Sequence, residues 1–179
     1  MKKCILAAIL AISFAGTAFS QVSVRTNLVY WAGGLVNAGV EYNPTQKIGV
    51  LLNAGYGPFT SKNWEHNWGG WFAEPEMRYY IDGDGHWFAG IAAIAGHYDL
   101  KSSGTGRTGS VYAGGLTGGF RTMVSKRLGV DFSLGLGYGQ LKYDTYSFAN
   151  GARNVDSRDV TKTGLMPIQA DIVFTWKLK

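Results

Sequence analysis

Cysteine is almost absent from the sequence. Cys4 is the only one among 179 residues, and it precedes the apolar stretch of the N-terminus instead of ending it. It therefore does not become the lipid-bearing first residue of a mature lipoprotein. The rest of the chain has no disulfide, no thiolate nucleophile and no cysteine-ligated metal. Linkers rich in proline or serine and blocks of like charge are missing as well. We therefore expect one domain that depends on backbone pairing and packing.

The N-terminus has the three-part pattern of an export signal. Lysines come first, an apolar stretch covers Ile5–Phe14, and small side chains follow at Ala18 and Ser20. This stretch is too short for a membrane-spanning helix, which needs about 20 apolar residues. We predict a cleaved signal peptide over residues 1–20 and a single domain over residues 21–179.

Charge is low and scattered. The chain has 17 basic and 12 acidic residues, and removal of the two lysines of the signal peptide leaves a net charge near +3. This is too little, and too dispersed, for a nucleic-acid partner. Glycine, in contrast, is abundant: 26 of 179 residues is about twice its usual frequency of roughly 7%. Together with a high aromatic content, this indicates a β protein in which one face of each strand is kept small.

Alternation with a period of two recurs along the chain, and no segment after residue 20 keeps a helical period. Between residues 168 and 178, apolar and polar side chains alternate, and this alternation places Ile168 on the apolar face. The alternation is clearest between residues 128 and 139, where Leu128, Val130, Phe132, Leu134, Leu136 and Tyr138 oppose Gly129, Asp131, Ser133, Gly135, Gly137 and Gly139.

This pattern predicts an all-β fold, an up-and-down antiparallel transmembrane β-barrel of about eight strands. Tight turns alternate with long polar loops, as is typical of outer-membrane barrels. The strands are predicted over residues 22–31, 35–42, 47–58, 71–81, 87–98, 110–124, 127–143 and 165–179. The tight turns are predicted at 43–46, 82–85 and 125–126, and the long loops at 59–70, 99–109 and 144–164. The connection at 32–34 is short although it falls on the long-loop side.

The charged face is predicted to point inward. A small barrel has a lumen just wide enough for side chains to fill, and carboxylates and guanidinium groups can pair there. The two faces of the strand over residues 87–98 are equally apolar, so the sequence does not orient that strand. The predicted lumen network comprises Arg25, Glu41, Glu74, Glu76, Arg78, Arg121, Asp131 and Asp171.

Aromatic residues cluster toward the strand ends, as the interfacial girdles of membrane barrels do. This favours a cell outer membrane location with lipid around the wall. A soluble periplasmic, lipocalin-like binder would instead turn its apolar face inward, and it stays an alternative. The predicted girdle comprises Tyr30, Tyr42, Tyr56, Trp71, Tyr79, Tyr138, Phe174 and Trp176.

Several segments resemble, in the same order, the motifs of an uncharacterised family of small outer-membrane barrels from Bacteroidetes, often encoded near fimbrillin genes. The resemblance implies an eight-stranded barrel at the cell surface that takes part in the assembly or anchoring of surface fimbriae. It supplies no catalytic residues. The segments are Arg25–Tyr30, Asn37–Tyr42, Glu74–Tyr80, Gly90–Tyr98 and Leu134–Tyr143.

Candidate sites in the sequence are weak. His66 lies in a loop segment with aromatics and a carboxylate, but a metal site needs several convergent ligands. His97 has Ser102 and Ser103 as candidate nucleophiles for a lipid-modifying enzyme, without a supporting motif. The stretch 82–85 is similar to the start of a calcium loop but lacks the later ligands. We therefore predict no catalytic, cofactor or metal site.

The leading hypothesis is a structural or interaction barrel that meets surface or fimbrial proteins through its long loops. Two other functions stay open. One is an outer-membrane lipid-modifying enzyme. The other is a narrow pore, with Glu74, Glu76 and Arg78 as an ion path.

Overall fold

The computed structural model describes residues 21–57, 66–82, 85–102, 104–149 and 152–178. The predicted signal peptide lies outside this part of the chain. The structure forms one sheet of eight antiparallel strands that closes on itself, which confirms the predicted fold. The elements are β1 (Gln21–Asn27), α1 (Leu28–Ala32), β2 (Val36–Asn43), β3 (Ile48–Gly57), β4 (His66–Tyr80), β5 (Trp87–Ser102), β6 (Thr105–Met123), β7 (Leu128–Ala149) and β8 (Ala152–Lys177).

The first strand is shorter than predicted, because a helical turn replaces its second half. The Asn27 side chain accepts a hydrogen bond from the backbone N–H of Val29 (2.9 Å) and caps α1. Asparagine is among the best residues at this position. Gly34, at φ 77°, allows the chain to leave the helix and enter β2. No helix in the described ranges is long and apolar enough to cross a membrane.

Two of the predicted long loops are in fact strand extensions. β5 and β6 stay paired up to Ser102 and Thr105, and β7 and β8 stay paired up to Ala149 and Ala152. Polar composition suggested loops, but polar residues also suit a hairpin with water on both faces. The third predicted loop, 59–70, is shortened because β4 begins at His66, and its residues 59–65 lie outside the described residues.

One exposed ion pair joins the extended parts of β7 and β8. The Nζ atom of Lys142 lies 2.9 Å from a carboxylate oxygen of Asp159. Their hydrogen bond lowers the pKa of Asp159 and raises the pKa of Lys142.

The strands lengthen steadily around the barrel, with 7, 8, 10, 15, 16, 19, 22 and 26 residues from β1 to β8. One side of the wall is therefore short and the other tall. Because the ring closes between β1 and β8, the shortest strand meets the longest one.

The strands are strongly staggered. Ser23 of β1 pairs directly with Lys177 of β8. The cross-strand partners of Ser23 can also be followed the other way around the ring, from β2 to β7. This row of paired residues reaches β8 at Met166, eleven positions from Lys177. A stagger of this size tilts the strands against the barrel axis.

A β-bulge on β8 corrects one part of the predicted pattern. Gln169 pairs with Gly135 and Pro167 with Leu136, so Ile168 is the extra residue between them. Ile168 is buried, 5% exposed, although the alternation placed it on the apolar outer face. An extra residue inverts the alternation locally.

The structure also orients β5, which the sequence left open. Trp87, Ala89 and Ile91 are exposed on the outer wall, whereas Phe88 is buried at 2% exposure. β5 thus continues the outward and inward alternation of its neighbours.

Neighbouring glycines of β6 offer a test of this packing. A Cβ atom at Gly115 would lie 2.1 Å from the carbonyl oxygen of Leu136, whereas one at Gly114 would meet only the carbonyl oxygen of Ala92 at 3.7 Å. We expect Gly115→Ala to destabilise the barrel by about 1–3 kcal/mol, since strand backbone cannot move aside cheaply. Gly114→Ala is the matched control and should leave stability unchanged. Urea unfolding in detergent micelles measures both, and equal stability of the two variants would contradict the packing of β6 against β7.

Candidate functional site

All eight residues of the predicted lumen network lie inside the barrel in this structure. Each is at most 6% exposed. They come from six strands: Arg25 from β1, Glu41 from β2, Glu74, Glu76 and Arg78 from β4, Arg121 from β6, Asp131 from β7 and Asp171 from β8. Period-two alternation brings them to one side of the sheet, and closure of the sheet brings them together.

Asp131 is the centre of this network. Its two carboxylate oxygens accept hydrogen bonds from Arg25 Nη2 (3.1 Å), Arg78 Nη1 (2.9 Å) and Arg121 Nε (2.7 Å). Asp131 itself is 0% exposed. A single carboxylate thus joins three guanidinium groups from β1, β4 and β6.

Two glutamates complete the charge balance around these arginines. Glu41 accepts from Arg121 Nη2 (2.6 Å) and from the Tyr80 hydroxyl. Glu76 accepts from Arg78 Nη2 (2.8 Å) and from the Thr117 hydroxyl (2.8 Å). We call the six residues the ionic tier: Arg25, Glu41, Glu76, Arg78, Arg121 and Asp131. It contains three cations and three anions and lies toward the tight turns.

A second group of polar side chains lies above the ionic tier. Glu74 accepts from the Tyr30 hydroxyl (2.7 Å). Asp171 accepts from the side-chain amides of Asn27 and Gln169 and from the Ser133 hydroxyl (3.3 Å). The two carboxylates of this neutral-donor tier, Glu74 and Asp171, are thus held by uncharged groups, whereas every carboxylate of the ionic tier contacts an arginine.

Aromatic and aliphatic side chains fill the remaining lumen, and sequence reasoning missed them. The Arg78 guanidinium lies 4.0 Å from the ring centre of Phe88, and that of Arg121 lies 5.3 Å from the ring centre of Tyr80. Leu51 is 2% exposed. Tyr80 was detectable, because it follows Glu76 and Arg78 at the same period. Cation–π contacts of this kind bring aromatic rings into the space beside the charged groups.

Tyr30 corrects the predicted aromatic girdle. The expectation placed it on the outer wall at the end of a strand. Because α1 begins at Leu28, Tyr30 instead turns inward: its ring centre lies 4.5 Å from that of Phe72, and its hydroxyl bonds to Glu74. It belongs to the neutral-donor tier.

The other predicted girdle residues lie on the outer wall. On β7, every outward side chain from Leu128 to Tyr138 is apolar, and Leu134 and Leu136 are 72% and 70% exposed. At about 3.3 Å per residue and a tilt of about 40°, this stretch is about 25 Å tall. We call it the apolar band. The predicted girdle residues on the outer wall are Tyr42, Tyr56, Trp71, Tyr79, Tyr138, Phe174 and Trp176.

The histidine candidates are arranged differently from the expectation. His97 lies across from Ser110 on β6, with 3.4 Å from Nδ1 to the hydroxyl, and its Nε2 lies 3.3 Å from the Thr108 hydroxyl. Ser102 is five residues along the strand, about 16 Å away, and Ser103 lies outside the described residues. In the described part of the chain no carboxylate is hydrogen-bonded to the His97 ring.

The remaining candidates are His66 and the stretch 82–85. The side chain of His66 lies outside the described residues. Asp82 accepts from the backbone N–H groups of His86 (2.8 Å) and Trp87 (3.1 Å), which makes it a turn residue; Gly83 and Asp84 of the same stretch are not described. Over the described ranges, no group of three or more His, Cys, Asp or Glu residues is arranged to hold a metal ion.

Comparison with known families gives one match that covers nearly the whole chain. Residues 4–178 match the family described as "Protein of unknown function (DUF3575)". The chain belongs to this family. No curated protein and no solved structure matches it. The function of this DUF3575 protein is therefore inferred from its own residues. The ionic tier in the lumen and the apolar band on the outer wall are the two structural features that bear on it.

Removal of the Asp131 carboxylate tests the ionic tier. Asp131→Asn leaves three guanidinium groups with two carboxylates, and we expect a loss of about 3–5 kcal/mol of unfolding free energy. Arg25 is the most weakly held cation, because its Nε and Nη1 atoms make no hydrogen bond within the described residues. Adding Arg25→Met to Asp131→Asn restores the charge balance and should recover part of the loss.

Chemical unfolding of the four proteins of this double-mutant cycle measures the coupling. The control is Asp156→Asn, at an exposed carboxylate of β8, where a change below about 0.5 kcal/mol is expected. An Asp131→Asn protein as stable as the control would show that the three arginines do not depend on the Asp131 carboxylate.

Proposed function

We propose that this protein spans the cell outer membrane as a closed barrel and serves as a scaffold for interactions at the cell surface. The observation that carries the proposal is the inverted distribution of polarity. The outer wall exposes large apolar side chains such as Leu116 (70%), while Arg78 and Glu41 are 1% and 0% exposed inside. Water-soluble domains bury apolar groups and almost never bury so many charges. Lipid around the wall makes this distribution favourable.

The height of the apolar band supports the same location. Its roughly 25 Å equals the apolar height of known outer-membrane barrels. Exposed charges lie beyond the band, with Lys47 and Arg127 in the tight turns and Lys142 and Arg158 in the extended hairpins. The predicted signal peptide over residues 1–20 supplies the export route.

The filled lumen favours a scaffold over a pore. The ionic tier places three guanidinium groups and three carboxylates across the barrel, with the rings of Tyr80 and Phe88 stacked on the arginines. Barrels of eight strands have an interior that side chains can fill completely. An ion would have to displace several charge-assisted hydrogen bonds to pass.

The tall side of the wall is the surface that partners would meet. Above Tyr138, β7 continues for eleven residues to Ala149, about 35 Å along the strand. We propose that these extended hairpins, β5–β6 and β7–β8, contact surface or fimbrial proteins. Unchanged display of fimbriae after deletion of the gene would remove the support for the fimbrial partner.

The lipid-facing wall is tested by placing a charge on it. Leu134→Arg puts a guanidinium at the centre of the apolar band, and we expect a loss of about 2–4 kcal/mol in phospholipid vesicles. Gln140→Arg, at the first exposed outward position above the band, should change stability little. Urea unfolding of vesicle-inserted protein measures both.

A water-soluble barrel would respond differently to Leu134→Arg. There, arginine in place of an exposed leucine is neutral within about 0.5 kcal/mol. Recovery of the wild-type protein in the soluble periplasm, without a boiling-dependent shift in gel migration, would also overturn the membrane location and favour a soluble binder.

Conductance distinguishes the scaffold from a pore. In planar bilayers we expect no steady ion current from the wild-type protein, because the ionic tier fills the lumen. A stable unit conductance in the wild type, abolished by boiling the sample, would contradict a closed lumen.

A further inference from the structure

The ring closes through an unequal pair of strands, which leaves one edge of β8 without a strand partner among the described residues. β8 has 26 residues, but only Val173–Lys177 pair with β1. α1 continues beside β8: the Asn27 amide bonds to Asp171, and Val29 lies next to Ala170 and Ile172. Above this level, β8 passes the top of the short wall.

The segment Val160–Met166 of β8 is a regular strand that is paired on one side. It pairs with Gly137–Tyr143 of β7 without interruption. Apart from β7, no residue in the described ranges makes a backbone hydrogen bond to it. We call the opposite side of this segment the β8 edge.

Apart from one lysine, the features that normally blunt an exposed edge lie at the two ends of this segment. Asp159 has φ 56°, which breaks the extended backbone at one end. Pro167, which has no N–H, and the bulge at Ile168 end it at the other. Proline, bulges and charges are the usual protection of sheet edges. Between these limits the only charge is Lys162, so the segment keeps the geometry that strand pairing requires.

Membrane insertion makes an unpaired edge costly here. Leu165 pairs with Tyr138 at the upper end of the apolar band and is 84% exposed. The lower part of the β8 edge therefore faces hydrocarbon, where neither lipid nor water satisfies backbone N–H and C=O groups. Only another polypeptide strand offers donors and acceptors at the matching spacing.

Space for the side chains of such a strand is already present. A Cβ atom added at Gly164 would meet nothing within 4 Å, although Gly164 faces the lumen side like its partner Gly139. The lumen-facing glycines of the neighbouring strands are crowded: a Cβ atom at Gly139 would lie 2.3 Å from the Cβ of Ala113. The open space thus lies beside the unpaired edge.

We propose that the β8 edge binds an extended segment of a partner protein as an added strand. This inference rests on the proposed membrane location and names the kind of partner. The segment carries apolar or β-branched side chains, one of them next to Leu165 on the lipid side and another in the space beside Gly164. Main-chain hydrogen bonds provide affinity and the two side chains provide selectivity, as in other cases of strand addition.

A second copy of the chain does not fit this edge in an antiparallel pair. Antiparallel pairing of two equivalent edges requires a two-fold axis perpendicular to the sheet. For a barrel wall that axis lies in the membrane plane, so one barrel would be inverted. The partner is therefore a different polypeptide that approaches from the extended-hairpin side.

Amide hydrogen exchange of the whole mature chain in detergent micelles is the first arm of the test. In the isolated protein, alternate amides over Val160–Met166 should exchange freely, because they point away from β7, while all amides of the opposite β7 segment stay protected. Protection of every amide over Val160–Met166 would show that the chain itself already covers the edge, and this would falsify the inference. Protection that grows with barrel concentration would indicate a second copy and would also overturn it.

The second arm adds a strand. The probe is a short peptide of alternating valine and threonine with an aspartate at each end. We expect it to slow exchange of the free amides by about tenfold or more. Gly164→Trp fills the open space and should weaken this protection about tenfold, whereas Leu134→Trp, on the lipid-facing side of β7, should leave it unchanged.

The outcomes separate this inference from the proposed function. No change in exchange up to the solubility limit of the peptide, or equal effects of Gly164→Trp and Leu134→Trp, would reject strand binding. The exchange is measured in micelles, so such a result does not bear on the membrane location. The membrane location is tested independently by the comparison of Leu134→Arg with Gln140→Arg in vesicles.

Discussion

The barrel depends on the pairing of three arginines with one buried aspartate. Asp131 holds Arg25, Arg78 and Arg121 from three different strands, so the three guanidinium groups share this carboxylate only once the sheet has closed. Buried charge is expensive when it is unpaired, by several kcal/mol per ion, and a well-packed apolar core of equal volume is often as stable. The ionic tier is therefore better understood as a constraint on closure and register than as a source of net stability. A shift of β7 by one residue would turn Asp131 to the outer wall and leave three guanidinium groups without their shared partner.

The same requirement explains why the two tiers differ. Where arginines reach the lumen, carboxylates match them in number. Where α1 replaces the upper half of β1, uncharged donors hold Glu74 and Asp171 instead. Tyr30 supplies one of these donors only because the strand ends at Asn27. The helical turn thus does two things: it lowers the wall on one side, and it places a phenol in the lumen beside a carboxylate that no arginine reaches.

Period-two alternation was sufficient to predict the barrel, its strand number and the inward set of eight charged residues, since all of these follow from which face a residue occupies. Three features could not be predicted because a period of two does not encode them. The turn α1 depends on a single capping asparagine. The bulge at Ile168 inverts one residue within an otherwise regular strand. The extensions of β5–β8 have a polar composition that suits a loop as well as a hairpin. The orientation of β5 was undetermined for a related reason: both of its faces are small or apolar, and only the alternation of the neighbouring strands decides between them.

Strand lengths and closure together determine where this barrel can interact. A ring whose strands lengthen steadily from β1 to β8 must place its largest mismatch at the point where it closes. The row of cross-strand partners that starts at Ser23, the partner of Lys177, returns to β8 at Met166. This return point is eleven positions away and lies in the segment of β8 that does not pair with β1. The unpaired edge is therefore a consequence of the architecture and not of a local irregularity. Shortening β8 to match β1 would remove the edge, but it would also remove the partner of the extended β7 and leave that strand as the new edge. Any barrel built with this gradient keeps one open strand at its tall end, and the proline, the bulge and the left-handed Asp159 limit how much of it stays available.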